Sequence, residues 1–477
     1  MRFTTLTFLC FFILTYVSFW SVPRRVRPAL LLFASILFYA AWSIPFTLHF
    51  LGIVVLSHFL IRPMLKNKSR LLLGLVLTLN LGNLFFFKYF YLFLQIVHDA
   101  SGLALFSREG FNRYLLDLTG EGSIVLPLAI SFYTFQITAY AVDVFRGQIK
   151  TNHSLMHFSL FIFFFPQLVA GPIMRESDFF WQIKENKSDR KSLESGMALL
   201  ATGLLKKVVI ADNLVTGVNA VFLNPSAFGW QANVVAALGY SIRVYCDFSG
   251  YTDIARGCGR LLGFELPENF RGPYLSASLR EMWQRWHVTL STWLRDYLFI
   301  PLGGSRAGPI RTQMNLVLAF TLGGLWHGAN YTYIAWGFMH GLLLVLERPL
   351  RTFKQSLAWP AWLDRSLWPF RVFIVFGFFT VGTLFFNAPD IAHTWLMMQR
   401  IVLLAAGPVG PAHELILNLL PVCFLLNYLE YSNKISVRLA ALPGTVRVLL
   451  LTLYGLLTVA LLGRFAPGGN DFIYFQF

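Results

Sequence analysis

Apolar runs long enough to cross a bilayer recur along the whole chain, and the charged residues collect in the short loops between them. A spanning helix needs roughly 20 apolar residues. On that measure spans are expected at 3–20, 28–43, 46–61, 71–97, 123–143, 196–222, 231–246, 312–328, 331–347, 371–388, 413–430 and 446–463. Two further apolar stretches, 155–173 and 288–303, are interrupted by Pro166, Pro172, Pro301 and paired glycines. Both are expected to be re-entrant or interfacial, because irregular backbone at membrane depth survives only where protein or water satisfies its polar groups. The first run carries one early charge, Arg2, and no small-x-small cleavage site precedes Arg24, so it reads as a retained span rather than a cleaved leader. No internal repeat or long linker divides 1–477, which predicts a single membrane domain, an all-α polytopic fold.

Loop charges set the expected orientation. Arg24, Arg25 and Arg27 follow the first span, Arg62, Lys66, Lys68 and Arg70 the third, and Arg146 and Lys150 the fifth; the positive-inside rule puts these loops in the cytoplasm. The segments 174–193 and 254–285 and the cluster Arg348, Arg351 and Lys354 fall on the same side. Both termini are then expected to be extracytoplasmic.

Composition supports lipid as the surrounding solvent. The chain is 56% hydrophobic and 13% charged, where soluble domains run near a quarter charged. Its 48 Phe, 18 Tyr and 13 Trp suit lipid-facing helices with interfacial anchors. A formal net charge of +16 would suggest nucleic acid in a soluble protein, but positive-inside loops account for it and no basic helix with stacking aromatics accompanies it, so no nucleic-acid partner is expected. Four scattered cysteines, Cys10, Cys246, Cys258 and Cys423, form no CxxC pair and have no histidine at metal-ligand spacing; neither a disulfide framework nor a metal site is expected.

Polar residues inside apolar sequence carry the information about chemistry, and they gather between about 245 and 345. The block Cys246-Asp247-Phe248-Ser249-Gly250-Tyr251-Thr252-Asp253 is expected to end a span, with helix capping by Asp247 or Ser249 as the plain alternative to a functional role. The block Arg285-Trp286-His287 to Tyr297 places His287, Ser291 and Leu294 on one helical face; an interfacial anchor helix would look similar. In Gly323-Gly324-Leu325-Trp326-His327-Gly328-Ala329-Asn330, glycines flank a histidine in an apolar run, which predicts a helix break at depth and close approach of a ligand to an imidazole able to carry a proton. His340 is a weaker candidate that also fits simple packing. No GxSxG, Walker, GxGxxG or HExxH motif is present.

Together the second and third blocks strongly resemble the membrane-bound O-acyltransferase (MBOAT) family, in the bacterial branch that O-acetylates alginate and D-alanylates teichoic acid. Ser131-Phe132-Tyr133, Asp143-Val144-Phe145-Arg146-Gly147, Ala170-Gly171-Pro172-Ile173, Lys206-Lys207, the Asp247 to Asp253 run and Glu268-Asn269-Phe270 extend the resemblance over nearly the whole chain. The resemblance implies a ring of about 11–12 helices around a central tunnel, His327 as the central catalytic histidine and His287 as a second one nearer the cytoplasmic entrance. Asn330, Trp326, Asp296 and Ser291 are expected to support them, Asn330 by orienting His327 or stabilising the oxyanion, and some of the arginines and lysines near 254–311, including Arg285 and Arg295, to hold the phosphates of acetyl-CoA, the donor substrate; no bound cofactor is expected. Gln167 stands where alginate-type relatives often carry His, which leaves no third histidine. The tail Asp471-Phe472-Ile473-Tyr474-Phe475-Gln476-Phe477 is similar to the aromatic motif of a partner peptide in teichoic acid D-alanylation; either it is an interfacial tail or its Tyr474 hydroxyl takes part in transfer. The expected setting is the bacterial inner membrane, with a periplasmic or membrane-anchored SGNH-type acetyltransferase and an exopolysaccharide synthase complex as partners and alginate, cellulose or a similar polymer as acceptor. A transporter or flippase with a histidine proton relay is the alternative, although no inverted repeat supports it.

Overall fold

The computed structural model describes residues 3–119, 122–306, 308–356, 360–432, 438 and 441–465. Among them every regular element is helical, and each of the twelve expected spans overlaps a helix, although 123–143 becomes helical only at Ile130. Five helical stretches are long and apolar enough to cross a membrane, Ile44–Asn67, Arg70–Ser101, Trp368–Asn387, His413–Ser432 and Gly444–Phe465, and Leu6–Ser21 and Arg27–Ala40 are shorter apolar helices. The protein is thus an all-α, multi-pass membrane protein. The aromatic tail from 465 onward, Tyr474 included, lies outside the described residues except for Phe465.

One expected boundary is wrong in an informative way. The span placed over 231–246 is the first half of a 32-residue helix, Trp230–Leu261, so Asp247, Ser249 and Asp253 sit in mid-helix rather than at a cap. The carboxylates are tolerated there because a neighbouring helix answers them. At the π-helical turn Leu205–Ala211, Lys207 pairs with Asp247 at 2.6 Å and with Asp212 at 2.7 Å, and Lys206 pairs with Asp253 at 2.7 Å and with Glu430 at 2.5 Å. Buried charges persist when paired in this way.

Glycine lets this long helix meet Arg190–Leu204 at backbone contact. A Cβ on Gly203 would stand 2.5 Å from the Gly250 carbonyl oxygen, and one on Gly257 would stand 2.9 Å from that of Gly196. Small residues at such spacing are the usual device for close helix approach in lipid. The same device joins Pro309–His327 to Tyr331–Ser356, where Cβ atoms on Gly324 and Gly337 would collide with the Tyr333 and Phe320 carbonyl oxygens.

Both interrupted stretches are broken, as a re-entrant path requires, and the first is also buried. Leu155–Phe163 is followed by the single turn Phe165–Leu168, and Phe158 through Met174 are all buried, Gln167 among them. The other runs from Val288–Leu294 into a π-helical turn, Arg295–Phe299. His287 precedes it in the left-handed region, φ 43°, and is not part of the helix, so it does not share a helical face with Ser291 as the spacing suggested.

Candidate active site

Pro309–His327 ends at His327, and Gly328 leaves it in extended conformation. One stripe of this helix, Thr312, Leu316, Ala319, Phe320, Gly323 and His327, lines a cavity of about 380 Å³. At 1.5 Å per residue the stripe is roughly 22 Å long. The opposite walls come from Leu290, Ser291 and Leu294 on the re-entrant helix and from Trp336 and Leu344 on Tyr331–Ser356. The cavity is apolar along most of its length. Arg280, Arg295 and Arg348 also line it, and the antiparallel packing that sets Gly341 against Val317 and Gly337 against Phe320 puts Arg348 toward the Thr312 end, away from His327. Glu347 fixes this end by accepting hydrogen bonds from the backbone N–H groups of Leu279 at 2.6 Å and Arg280 at 3.0 Å, capping the Leu279–Arg285 helix.

At the inner end an aromatic ladder holds His327. Trp293 stacks on Phe135 at 3.7 Å, Phe135 on Trp326 at 5.4 Å, and the His327 ring is edge-on to Trp326, Trp336 and Phe386 at 5.0–5.1 Å. His287 is buried 6.4 Å from His327, centroid to centroid. Its Nδ1 lies 3.2 Å from the Asn269 Oδ1, which also accepts from the Thr289 N–H and hydroxyl, while Nε2 has no hydrogen-bond partner among the described residues. The two imidazoles named from sequence therefore come together, with His327 on the cavity wall and His287 behind it.

The supporting residues divide. Ser291 and Arg295 line the cavity, and Trp326 belongs to the ladder. Asp296 is an anchor for the re-entrant segment: it is paired with Arg175 at 2.5 Å and Arg295 at 2.6 Å. Burial works against its ionisation, and the hydrogen bonds from Arg295 and Arg175 outweigh that and hold the carboxyl below its ordinary value. Asn330 faces away from the imidazole, its amide donating to the Pro389 carbonyl at 3.0 Å and its Oδ1 accepting from the Thr332 N–H at 3.1 Å. Arg285 does not line the cavity: it pairs with Glu281, donates to the Arg271 carbonyl and lies over the Tyr431 ring. His340 is buried one layer beyond, with Trp336 standing between it and His327.

Three residues were not singled out in sequence. Arg280, on Leu279–Arg285, falls within the basic region 254–311 expected to meet the donor, and Arg348, on Tyr331–Ser356, belongs to a cluster read for orientation alone. Lys88 carried a readable signal, an ionisable residue inside the apolar run 71–97. Its ammonium is buried and donates to the Trp326 carbonyl at 2.6 Å, the His327 carbonyl at 3.2 Å and the Ser131 hydroxyl at 3.2 Å.

A buried histidine at the inner end of a narrow apolar cavity, in an all-helical polytopic protein, is an arrangement suited to chemistry inside a membrane. Comparison with known proteins gives its class: the chain belongs to the MBOAT, membrane-bound O-acyltransferase family, whose model matches residues 72–388. It is 36% identical to the probable alginate O-acetylase AlgI of Pseudomonas aeruginosa over 413 residues, covering 84% of this chain and 75% of that protein. The peptidoglycan O-acetyltransferase of Helicobacter pylori is 33% identical over 410 residues, 78% of this chain and 73% of the relative. The teichoic acid D-alanyltransferase of Bacillus subtilis is 30% identical over 290 residues, 57% and 71%. The chain is accordingly an acyltransferase.

Proposed function

We propose that this acyltransferase takes an acetyl group from acetyl-CoA on the cytoplasmic side of the bacterial inner membrane and passes it to a hydroxyl presented from the other face, for O-acetylation of an extracytoplasmic polysaccharide such as alginate or cellulose. One observation carries the reading: a single apolar cavity lined by Arg280, Arg295 and Arg348 reaches the His327 side chain. Guanidinium groups suit the phosphates of a coenzyme, and a narrow apolar slot suits the flexible pantetheine arm and the thioester behind them. Arg280 and Arg348 replace Arg285 in this role, and Arg295 keeps it.

In this reaction the acceptor oxygen attacks the thioester carbonyl while His327 takes the hydroxyl proton as general base. The tetrahedral intermediate collapses, the C–S bond breaks, and the proton passes to the departing sulfur, leaving an acetyl ester and free coenzyme A. His287, held at Nδ1 by Asn269, stands close enough to assist by its unpartnered Nε2. The names of the relatives favour polymer acetylation. A periplasmic SGNH-type acetyltransferase working beside a polysaccharide synthase is the partner that would complete delivery, with the Tyr474 hydroxyl as a candidate intermediate carrier.

His327→Ala is expected to abolish thiol release from acetyl-CoA by the purified full chain and to remove acetyl esters from the secreted polymer, both read by mass analysis. Unchanged acetylation in that variant, or no thiol release from the unaltered protein, would overturn the reading. Substrate flux without thiol release would instead support a transporter.

A further inference from the structure

Lys88 is an ammonium group buried within a span of otherwise apolar residues, and the mechanism above does not use it. Its backbone explains how it comes to face inward. The helix Arg70–Leu84 passes through a π-helical turn, Phe85–Tyr89, before continuing as Phe90–Ser101. Such a turn adds one residue and re-aims the side chains that follow; π turns concentrate at functional sites. Phe85 and Phe86 are exposed toward the surroundings while Lys88 is buried.

What Lys88 meets is the end of the helix that carries His327. A helix leaves its last carbonyls without intrahelical partners and gathers partial negative charge there. The ammonium donates to two of those carbonyls, Trp326 and His327, lies 5.9 Å over the Trp326 ring, and spends its third donor on Ser131. A lysine donating at a helix C-terminus complements that partial charge. The contact fixes the backbone of the histidine itself and of the tryptophan that flanks its ring.

We propose that Lys88 is a positioning residue for His327: it clamps the last turn of the Pro309–His327 helix so that the imidazole is presented to the cavity, with Ser131 holding the clamp. The proposal rests on the reading of His327 as the base. Misplacing a catalytic group by about 1 Å costs on the order of 10²-fold in rate, so the effect belongs in kcat. Donor binding at the distant arginines is left alone.

The experiment measures initial rates of thiol release from acetyl-CoA by the purified full chain carrying Lys88→Met, Lys88→Arg or Ser131→Ala, beside His327→Ala, with elution in detergent as the check of folding. Lys88→Met is expected to lower kcat roughly 10²-fold with KM for acetyl-CoA within twofold of the original. Lys88→Arg, which keeps the charge and donors, is expected to recover a large part, and Ser131→Ala to lose severalfold in kcat alone. Full kcat in folded Lys88→Met, a fall carried by KM, or no recovery by arginine overturns the assignment. Where Lys88→Met does not fold, full kcat in Ser131→Ala overturns it. If His327→Ala keeps its rate, the catalytic reading itself fails, an outcome distinct from a silent His327→Ala beside a normal Lys88→Met.

Discussion

Asn330 shows how a residue can be placed correctly near a site and still do something else. It follows His327 by three positions, which made it an attractive oxyanion donor, but its Oδ1 accepts from the Thr332 N–H at the start of Tyr331–Ser356 and its amide reaches the Pro389 carbonyl. That is helix capping, which Ala typically weakens by about 1 kcal/mol. Loss of an oxyanion donor costs about 2.7–4 kcal/mol of barrier, a hundredfold or more in kcat. Asn330→Ala is therefore expected to lower the thermal midpoint of the purified protein slightly and to keep kcat within a few fold; a hundredfold fall at unchanged stability would restore the oxyanion role. His327 stood out because glycines flank its segment in an apolar run, and His287 through the family resemblance; the fold brings the two rings to 6.4 Å. Lys88, an ionisable residue in apolar sequence, was equally visible, but it stands alone in the apolar run 71–97, far along the chain from the polar region 245–345 where its partners His327 and Trp326 lie. What could not be read at all was direction. Arg285 and Arg280 are alike in sequence, and only packing decides that one turns toward Tyr431 and the other lines the cavity.

At the level of helices, hydropathy located the spans well where they face lipid and badly where they face each other. The apolar run 231–246 stops at Asp247, yet the helix continues to Leu261, because Lys206 and Lys207 on another segment neutralise its carboxylates. A pattern read along one strand of sequence cannot see a partner some forty residues away. The start at 123 fails for the opposite reason: 122–129 is apolar but irregular, and the helix begins at Ile130. Glycine spacing held a further clue, since Gly196 and Gly203 meet Gly257 and Gly250 across the interface. Gly250→Val would drive a side chain into the Gly203 carbonyl and Lys206, and overpacking of this kind typically costs about 1–3 kcal/mol and sometimes more. It is expected to lower the yield of monodisperse protein in detergent severalfold, whereas Gly74→Ala, which meets nothing within 4 Å, is expected to elute unchanged. Equal behaviour of the two variants would mean that the close approach is not needed.

For the molecule as a whole, the proposed donor entrance agrees with the orientation expected from loop charge. The positive-inside rule assigns the loops 254–285 and 348–354 to the cytoplasm from charge alone, and the fold brings one arginine from each, Arg280 and Arg348, to the same cavity. The lining stripe runs roughly 22 Å from Thr312 to His327, with Arg348 toward the Thr312 end, so on the proposed reading the hydrophilic part of the coenzyme has no reason to cross and only its thioester end reaches His327. Transfer should accordingly be one-sided. In inverted vesicles, where the cytoplasmic face is outward, acetyl-CoA added outside is expected to release thiol, and in right-side-out vesicles it is not. Arg280→Gln and Arg348→Gln are each expected to raise KM for acetyl-CoA severalfold with kcat little changed, the gap narrowing as added salt screens the charges. Thiol release in right-side-out vesicles matching that in inverted ones would place the entrance on the other face, and an unchanged KM in both arginine variants would remove the phosphates from this end of the cavity.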